Sequence, residues 1–288
     1  FFMIIWIASY PKSGNTWVRA FLTSLLFKKE EGTSFKDFIK INIYPRRTHL
    51  KKYTRNFNNL GKISKFWIQT QRNINNDGKV KFLKTHNATF KINGNNFTNT
   101  ENTLGSIYVV RDPRNVVSSY KYHFSLKSVD EAVKVLFNKL QLIGNQEKSP
   151  DITRYTDNQV CTFISSWGHH YNSWKINWGN NLLIKYENLI LDPEKEFGKI
   201  KDYLERLMKL KIDKKKFLNA IKENSFDKLK ELENKVGFAE STYNYSSKER
   251  KKFFNLGPEN DWKKILDKEI VKKIEKEFQS EMKELGYL

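Results

Sequence analysis

Two groups of residues in this chain could do chemistry. The first is the octet Tyr10-Pro11-Lys12-Ser13-Gly14-Asn15-Thr16-Trp17. An apolar run leads into it and Trp17 to Phe27 carry apolar residues at helical spacing, so the octet reads as a turn between a strand and a helix. Such a turn aims backbone N–H groups and the positive end of the helix dipole at one spot, and that spot binds phosphate. Lys12 adds a full charge, and the hydroxyls of Ser13 and Thr16 add donors. This is not the Walker loop, which needs Gly, four residues, then Gly-Lys-Ser/Thr. Here the lysine precedes the glycine, so a magnesium-held triphosphate is not implied. The second group is Lys84-Thr85-His86 at the end of a predicted strand. The carboxyl end of a parallel strand is where α/β proteins build their sites, and an imidazole there can exchange a proton near neutral pH.

These residues need a sheet to position them. The opening run to Ile7, then Lys79 to Lys84, Ser106 to Arg111 and Asn181 to Tyr186 read as strands. Ser13, Asn15 and Thr16 are residues that readily cap the helix after the first. Asp112-Pro113 and Asp192-Pro193 head further helices, the second reaching Leu207. Residues 28–78 are polar, basic and rich in Asn and aromatics, and predict short helices and loops beside the sheet. A helix and a polar exposed stretch around Gly144 to Asp151 follow Ser125, then an aromatic-rich helix from Val160 to Trp178. Lys214 to Lys235 predicts one or two basic helices, Gly237 to Asp261 a long loop, and Lys264 to Leu285 an amphipathic helix. The alternation predicts an α/β fold, a central parallel β-sheet flanked by helices on both faces, in a single domain over residues 1–288. There is no internal repeat.

Composition bounds the partners. The 288 residues are 39% apolar and 14% aromatic, which argues against disorder and suits one large domain. Lys and Arg number 52 against 32 Asp and Glu, a net +20 that draws in anions: nucleic acid, an anionic glycan, an acidic membrane face or a nucleotide. The single cysteine, Cys161, cannot form an internal disulfide and no Cys–His spacing suggests zinc, which fits a reducing, cytoplasmic setting. The run Phe1 to Ile7 is too short to cross a bilayer and has no basic segment before it, so stable membrane insertion is not expected. Met3 stands behind Phe1, which leaves open an anchor ahead of this segment.

The octet resembles the 5'-phosphosulfate loop of the sulfotransferases that use 3'-phosphoadenosine 5'-phosphosulfate (PAPS), usually Tyr-Pro-Lys-Ser-Gly-Thr-Thr-Trp; only Asn15 differs. That family's 3'-phosphate site is a strand ending in Arg with a Ser eight residues on, and Arg111 with Ser119 has that spacing. A guanidinium fork and a hydroxyl suit a dianionic phosphate. Lys84-Thr85-His86 is similar to the family's Lys-Thr-His. Tyr186 before Glu187, the pair Ser225-Phe226 and Trp17 resemble the family's adenine contacts. The C-terminal part departs from the pattern: where cytosolic members have Arg-Lys-Gly, this chain has Asn255-Leu256-Gly257. Either Arg250, Lys251 or Lys252 supplies the missing charge, or the contact is absent.

The resemblance implies a P-loop-like sulfotransferase fold and sulfuryl transfer from PAPS to an acceptor hydroxyl or amine, leaving adenosine 3',5'-bisphosphate. His86 would be the general base and Lys12 would neutralise the departing phosphate. Lys84 and the backbone from Ser13 through Gly14 and Asn15 to Thr16 would hold the equatorial oxygens, with no metal required. The acceptor would be a small molecule or glycan, the basic loops favouring an anionic or sugar-containing one. The alternatives are a kinase-like P-loop transferase, or a non-catalytic module for anionic glycan or nucleic acid. Neither explains why Lys12, Lys84, His86, Arg111 and Ser119 fall at the edges of successive strands. No short segment specifies an oligomer.

Overall fold

A computed structural model describes residues 3–28, 34–144, 160–175, 180–244 and 248–288, without the side chains of Tyr243 and Asn244. The predicted exposed stretch over 145–151 and the end of the predicted helix at 176–178 lie outside the described residues.

Five parallel strands form the central sheet in the order β2-β3-β1-β4-β7: β1 (Ile4–Ser9), β2 (Asn42–Ile43), β3 (Lys81–Thr85), β4 (Thr103–Val110) and β7 (Asn180–Lys185). β1 is buried at every position, as a parallel strand covered on both faces must be. Its period-two side chains feed two cores: Ile4, Trp6 and Ala8 pack with Trp67, Phe97 and Trp174 on one face. Ile5 and Ile7 pack with Phe21, Phe197 and Tyr203 on the other.

Register then places the chemistry. Ala8 pairs with Thr85, Ser9 with Val109, and Val110 with Lys185, so Tyr10, His86, Arg111 and Tyr186 all leave the sheet at one edge. β1 lies between β3 and β4, and the crossovers on its two sides diverge, which opens a crevice at its carboxyl end.

Several expectations need correction. β2 is an edge strand within the stretch read as helices and loops, held through Tyr44 N–H, which donates to the Lys84 carbonyl at 2.8 Å. The predicted helix from Val160 starts only at Trp167. Before it, β6 (Thr162–Phe163) pairs with β5 (Leu142–Ile143), and Ser165 at φ 58° turns the chain between β6 and the helix. Ala88 N–H donates to the Phe163 carbonyl at 2.7 Å, so this hairpin is also tied to the segment after His86. The Gly237–Asp261 loop contains the short pair β8 (Tyr243–Asn244) and β9 (Glu249–Arg250). The C-terminal helix is three pieces, Trp262–Ile265, Lys268–Glu277 and Gln279–Glu284, broken where Leu266 is extended and at Phe278.

Candidate active site

A cavity of about 1030 Å³ opens at this edge of the sheet, at or above the usual size for one small ligand and large enough for a nucleotide and a second molecule. Its floor is six residues of the octet, Pro11, Lys12, Gly14, Asn15, Thr16 and Trp17, while Tyr10 and Ser13 are buried beneath it. Lys12 (φ 68°) and Gly14 (φ 99°) are both left-handed and bracket Ser13, a curvature that turns backbone N–H groups inward. A Cβ at Gly14 would lie 2.5 Å from the Tyr186 ring, so only glycine fits there. The helix that follows, α1 (Asn15–Phe27), has Gly14 as its N-cap and no side-chain cap, contrary to the expectation that Ser13, Asn15 or Thr16 would cap it. Its first N–H groups are therefore left for a ligand. Asn15 instead ties the loop down, its amide donating to the Ile7 carbonyl at 3.0 Å and to Ser9 Oγ at 3.2 Å.

Three cations converge on this floor. Lys84 Nζ donates to Thr16 Oγ1 at 3.3 Å, Arg111 Nη1 donates to the Lys12 carbonyl at 3.1 Å, and Lys12 Nζ sits 3.9 Å from the Phe253 ring centre. Burial, then Arg111 and Lys84, pull the Lys12 ammonium down to about 7. Ser13 Oγ and Arg111 Nε are buried and make no hydrogen bond among the described residues. Orphaned donors beside crowded cations fit an anion such as the phosphosulfate of PAPS.

His86 borders the same cavity. Its Nδ1 lies 2.8 Å from the Ser9 carbonyl, which can only accept, so the proton is on Nδ1 and Nε2 keeps its lone pair. Burial, then Lys84, lower the imidazole to about 3, so it is neutral at physiological pH. His170 fixes the strand end behind it, Nε2–H donating to the His86 carbonyl at 3.1 Å while Tyr108 Oη–H donates to Nδ1 at 2.8 Å.

The other predicted residues divide. Trp17 Nε1 donates to the Asn224 carbonyl at 2.6 Å and packs edge-on to Tyr186 and Phe226, so the three aromatics form one wall of the cavity. Arg111 lies 4.2 Å over the Tyr186 ring. Ser119 lines the cavity, whereas its neighbour Ser118 donates to Asn260 Oδ1 at 2.8 Å. Gly257, at φ 53°, offers its carbonyl to Arg111 Nη2 at 3.5 Å, and the Phe226 ring occupies the space of any Cβ there. Lys251 lines the cavity and donates to the Tyr122 carbonyl at 3.0 Å. Two residues are not brought in: Arg250 is exposed on β9 and borders no part of the cavity, and Ser225 caps the helix Phe226–Val236 by accepting from Lys228 N–H.

Sequence reasoning missed Glu240, Arg19, His123 and Phe253, all of which line the cavity. Arg19 lies one turn after Thr16 on α1, a spacing that could have flagged it. Glu240, in the long loop, carries no local signal. Away from the cations the described wall is mainly apolar, including Phe38, Tyr44, Phe124, Leu126, Val135 and Val160. Lys36, Arg46 and Lys127, from the basic loops expected to shape the acceptor pocket, line the cavity as well.

Comparison with known proteins gives the family and the fold. Residues 4–286 match the Sulfotransferase domain family. The chain is 26% identical over 281 residues to flavonol 3-sulfotransferase of Flaveria bidentis, covering 94% of this chain and 79% of that protein. It is 24% identical over 288 residues to sulfotransferase 1B1 of Canis lupus familiaris, covering 96% and 82%. Among solved structures, mouse sulfotransferase SULT7A1 complexed with PAP superposes with a TM-score of 0.55 at 19% identity, over 98% of this chain and 85% of that one. The chain belongs to the sulfotransferase domain family and has its α/β fold. No helix among the described residues is long and apolar enough to cross a membrane.

Proposed function

We propose that this sulfotransferase moves a sulfuryl group from PAPS to the hydroxyl of a small acceptor, within one domain spanning residues 1–288. The observation that carries the reading is the uncapped N-terminus of α1 ringed by Lys12, Lys84 and Arg111, with Ser13 Oγ and Arg111 Nε unpaired beside it. The PAP bound in two structural neighbours supports the same donor.

In this reading the backbone of Ser13 to Thr16, the Ser13 and Thr16 hydroxyls and Lys84 hold the 5'-phosphosulfate. Arg111 and Ser119 hold the 3'-phosphate, with the Lys251 ammonium close by, donating to the carbonyl of Tyr122, three residues after Ser119. Trp17, Tyr186 and Phe226 pack on the adenine. PAPS supplies an activated sulfuryl group whose leaving side is a phosphate oxygen. His86 Nε2 takes the proton of the acceptor hydroxyl, and Lys12 offsets charge growing on the departing phosphate. Lys12, Lys84 and the loop N–H groups carry the charge that a metal carries in kinases, so turnover needs no metal. The apolar part of the wall, Phe38, Tyr44, Phe124, Leu126, Val135 and Val160, suits a small aromatic or polycyclic acceptor, and Lys36, Arg46 and Lys127 beside it suit an anionic substituent on that acceptor. The flavonol and luciferin in two relatives' names point the same way. The single buried cysteine and the relatives named cytosolic support a cytoplasmic setting.

Calorimetric titration with adenosine 3',5'-bisphosphate tests this, with ATP plus magnesium as the comparison. Micromolar binding of the bisphosphate, lost in Lys12→Ala and Arg111→Ala, is the expected result. Preference for ATP, or no binding, overturns it.

A further inference from the structure

Glu240 belongs to none of the motifs, yet its carboxylate lies among the cations of the site. Arg19 Nη1 donates to Oε1 at 2.6 Å, Lys84 Nζ to Oε2 at 2.6 Å, and Thr16 Oγ1 to Oε2 at 3.2 Å. Burial pushes this carboxyl up, but Lys84 and Arg19 outweigh that and hold it well below the usual carboxylate range. It is therefore a full anion inside a largely buried cluster, its side chain 15% exposed and those of Arg19 and Lys84 only 6% and 4%.

Two of its three donors, Thr16 and Lys84, are those assigned above to the 5'-phosphosulfate. The Thr16 hydroxyl has one proton and cannot serve a carboxylate and a phosphate oxygen together. Two anions sharing Lys84 in a low-dielectric site would also repel. Arg19 is different: its Nε and Nη2 donate to the carbonyls of Ile41 at 2.8 Å and Phe38 at 2.7 Å, so it is fixed without the carboxylate. The chain around Glu240 is fixed as well. Phe238 is 3% exposed in the core, Ser241 Oγ donates to Glu233, and Thr242 Oγ1 donates to the His123 carbonyl at 2.8 Å.

We propose that Glu240 is an internal competitor of the cofactor's 5'-phosphate group: its carboxylate must release Thr16 and Lys84, while keeping Arg19, for PAPS or its bisphosphate product to bind. The inference rests on the cofactor reading above. Glu240 thereby weakens the holding of both nucleotides, including the product that has to leave after each turnover.

Calorimetry with adenosine 3',5'-bisphosphate on the native protein and on Glu240→Gln tests it. The amide keeps the side chain's size and removes its charge, so the variant is expected to bind roughly tenfold tighter; equal or weaker binding overturns the inference. A second measurement does not depend on how the variant folds. Crystal structures of the native protein with and without the bisphosphate are expected to differ at Glu240, whose carboxylate moves beyond hydrogen-bond reach, about 3.5 Å, of Thr16 and Lys84 in the complex. Both contacts kept in the complex overturn it. Lys12→Ala and Arg111→Ala separate the two readings. If the native protein does not bind the bisphosphate, or those variants bind it as well, the cofactor reading falls and this inference with it. If they bind weakly and Glu240→Gln binds no tighter, this inference alone falls.

Discussion

His170 donates its Nε2 proton to the backbone carbonyl of His86 at 3.1 Å, so one imidazole fixes the strand end that presents the other. His170 is fully buried, and burial lowers it from its ordinary 6.5 to about 3. Between those values the unfolded chain takes up a proton that the folded one refuses. The stabilisation is therefore complete above 6.5 and is lost as pH falls towards 3, at about 1.4 kcal/mol per pH unit for this group. Urea unfolding of His170→Asn between pH 6.5 and 5 is expected to lose stability less steeply than the native protein by that amount. Equal slopes would remove His170 as the cause.

His86→Ala is expected to lower kcat by roughly a hundredfold or more while leaving bisphosphate affinity unchanged, because the ring offers the cavity a lone pair and no charge. Steady-state kinetics with calorimetry reads both. Turnover within a few-fold of native assigns the base elsewhere.

Gly14→Ala combines two penalties, a left-handed backbone and a Cβ 2.5 Å from the Tyr186 ring. Gly94, at φ 79°, has nothing within 4 Å of its would-be Cβ. Gly94→Ala should cost about 1 kcal/mol in thermal unfolding and leave bisphosphate binding intact; Gly14→Ala should cost more and lose binding as well.

Lys12 gives cofactor binding a pH dependence with a definite sign. Burial, Arg111 and Lys84 bring it to about 7, and an arriving anion favours the charged form. Above pH 7 binding must take up a proton, so the bisphosphate Kd is expected to rise from pH 7 to 9, by up to about tenfold per unit. Lys12→Ala should flatten this profile. A native Kd constant over the range would show that Lys12 is not coupled to the ligand.

The parts of the fold that sequence made legible are those where local chemistry repeats. β1 and the end of β4 are apolar runs that give way at Tyr10 and Arg111, and β3 ends in the Lys84-Thr85 pair before His86, so the octet, His86 and the Arg111 strand end could be placed by inspection. β2 could not: it is two residues long, and its pairing with β3 is set by Lys84 and Leu83, some forty residues away. Thr162 and Phe163 fall in a stretch read as a helix, but their partners Ile143 and Leu142 make them a strand. Glu240 meets Thr16, Arg19 and Lys84 across 156 to 224 residues, a relation no periodicity encodes. Arg250 and Lys251 are adjacent in sequence, and only the backbone of β9 decides that one faces the cavity and the other solvent.

The parallel order of the sheet also governs when the site comes into being. Joining β1 to β3 closes a loop from Ile4 to Lys81, and β4 joins β7 from Gly105 to Asn180, so no early, local stage of folding can gather Lys12, His86 and Arg111. A nascent or partly assembled chain carries the octet but not its affinity. Any nucleotide that binds only the finished sheet adds RT ln(1 + [L]/Kd) to its stability, about 2.7 kcal/mol at a hundred times Kd. Supply of the sulfuryl donor would thus bear on how long each molecule survives proteolysis, and not only on how fast it works.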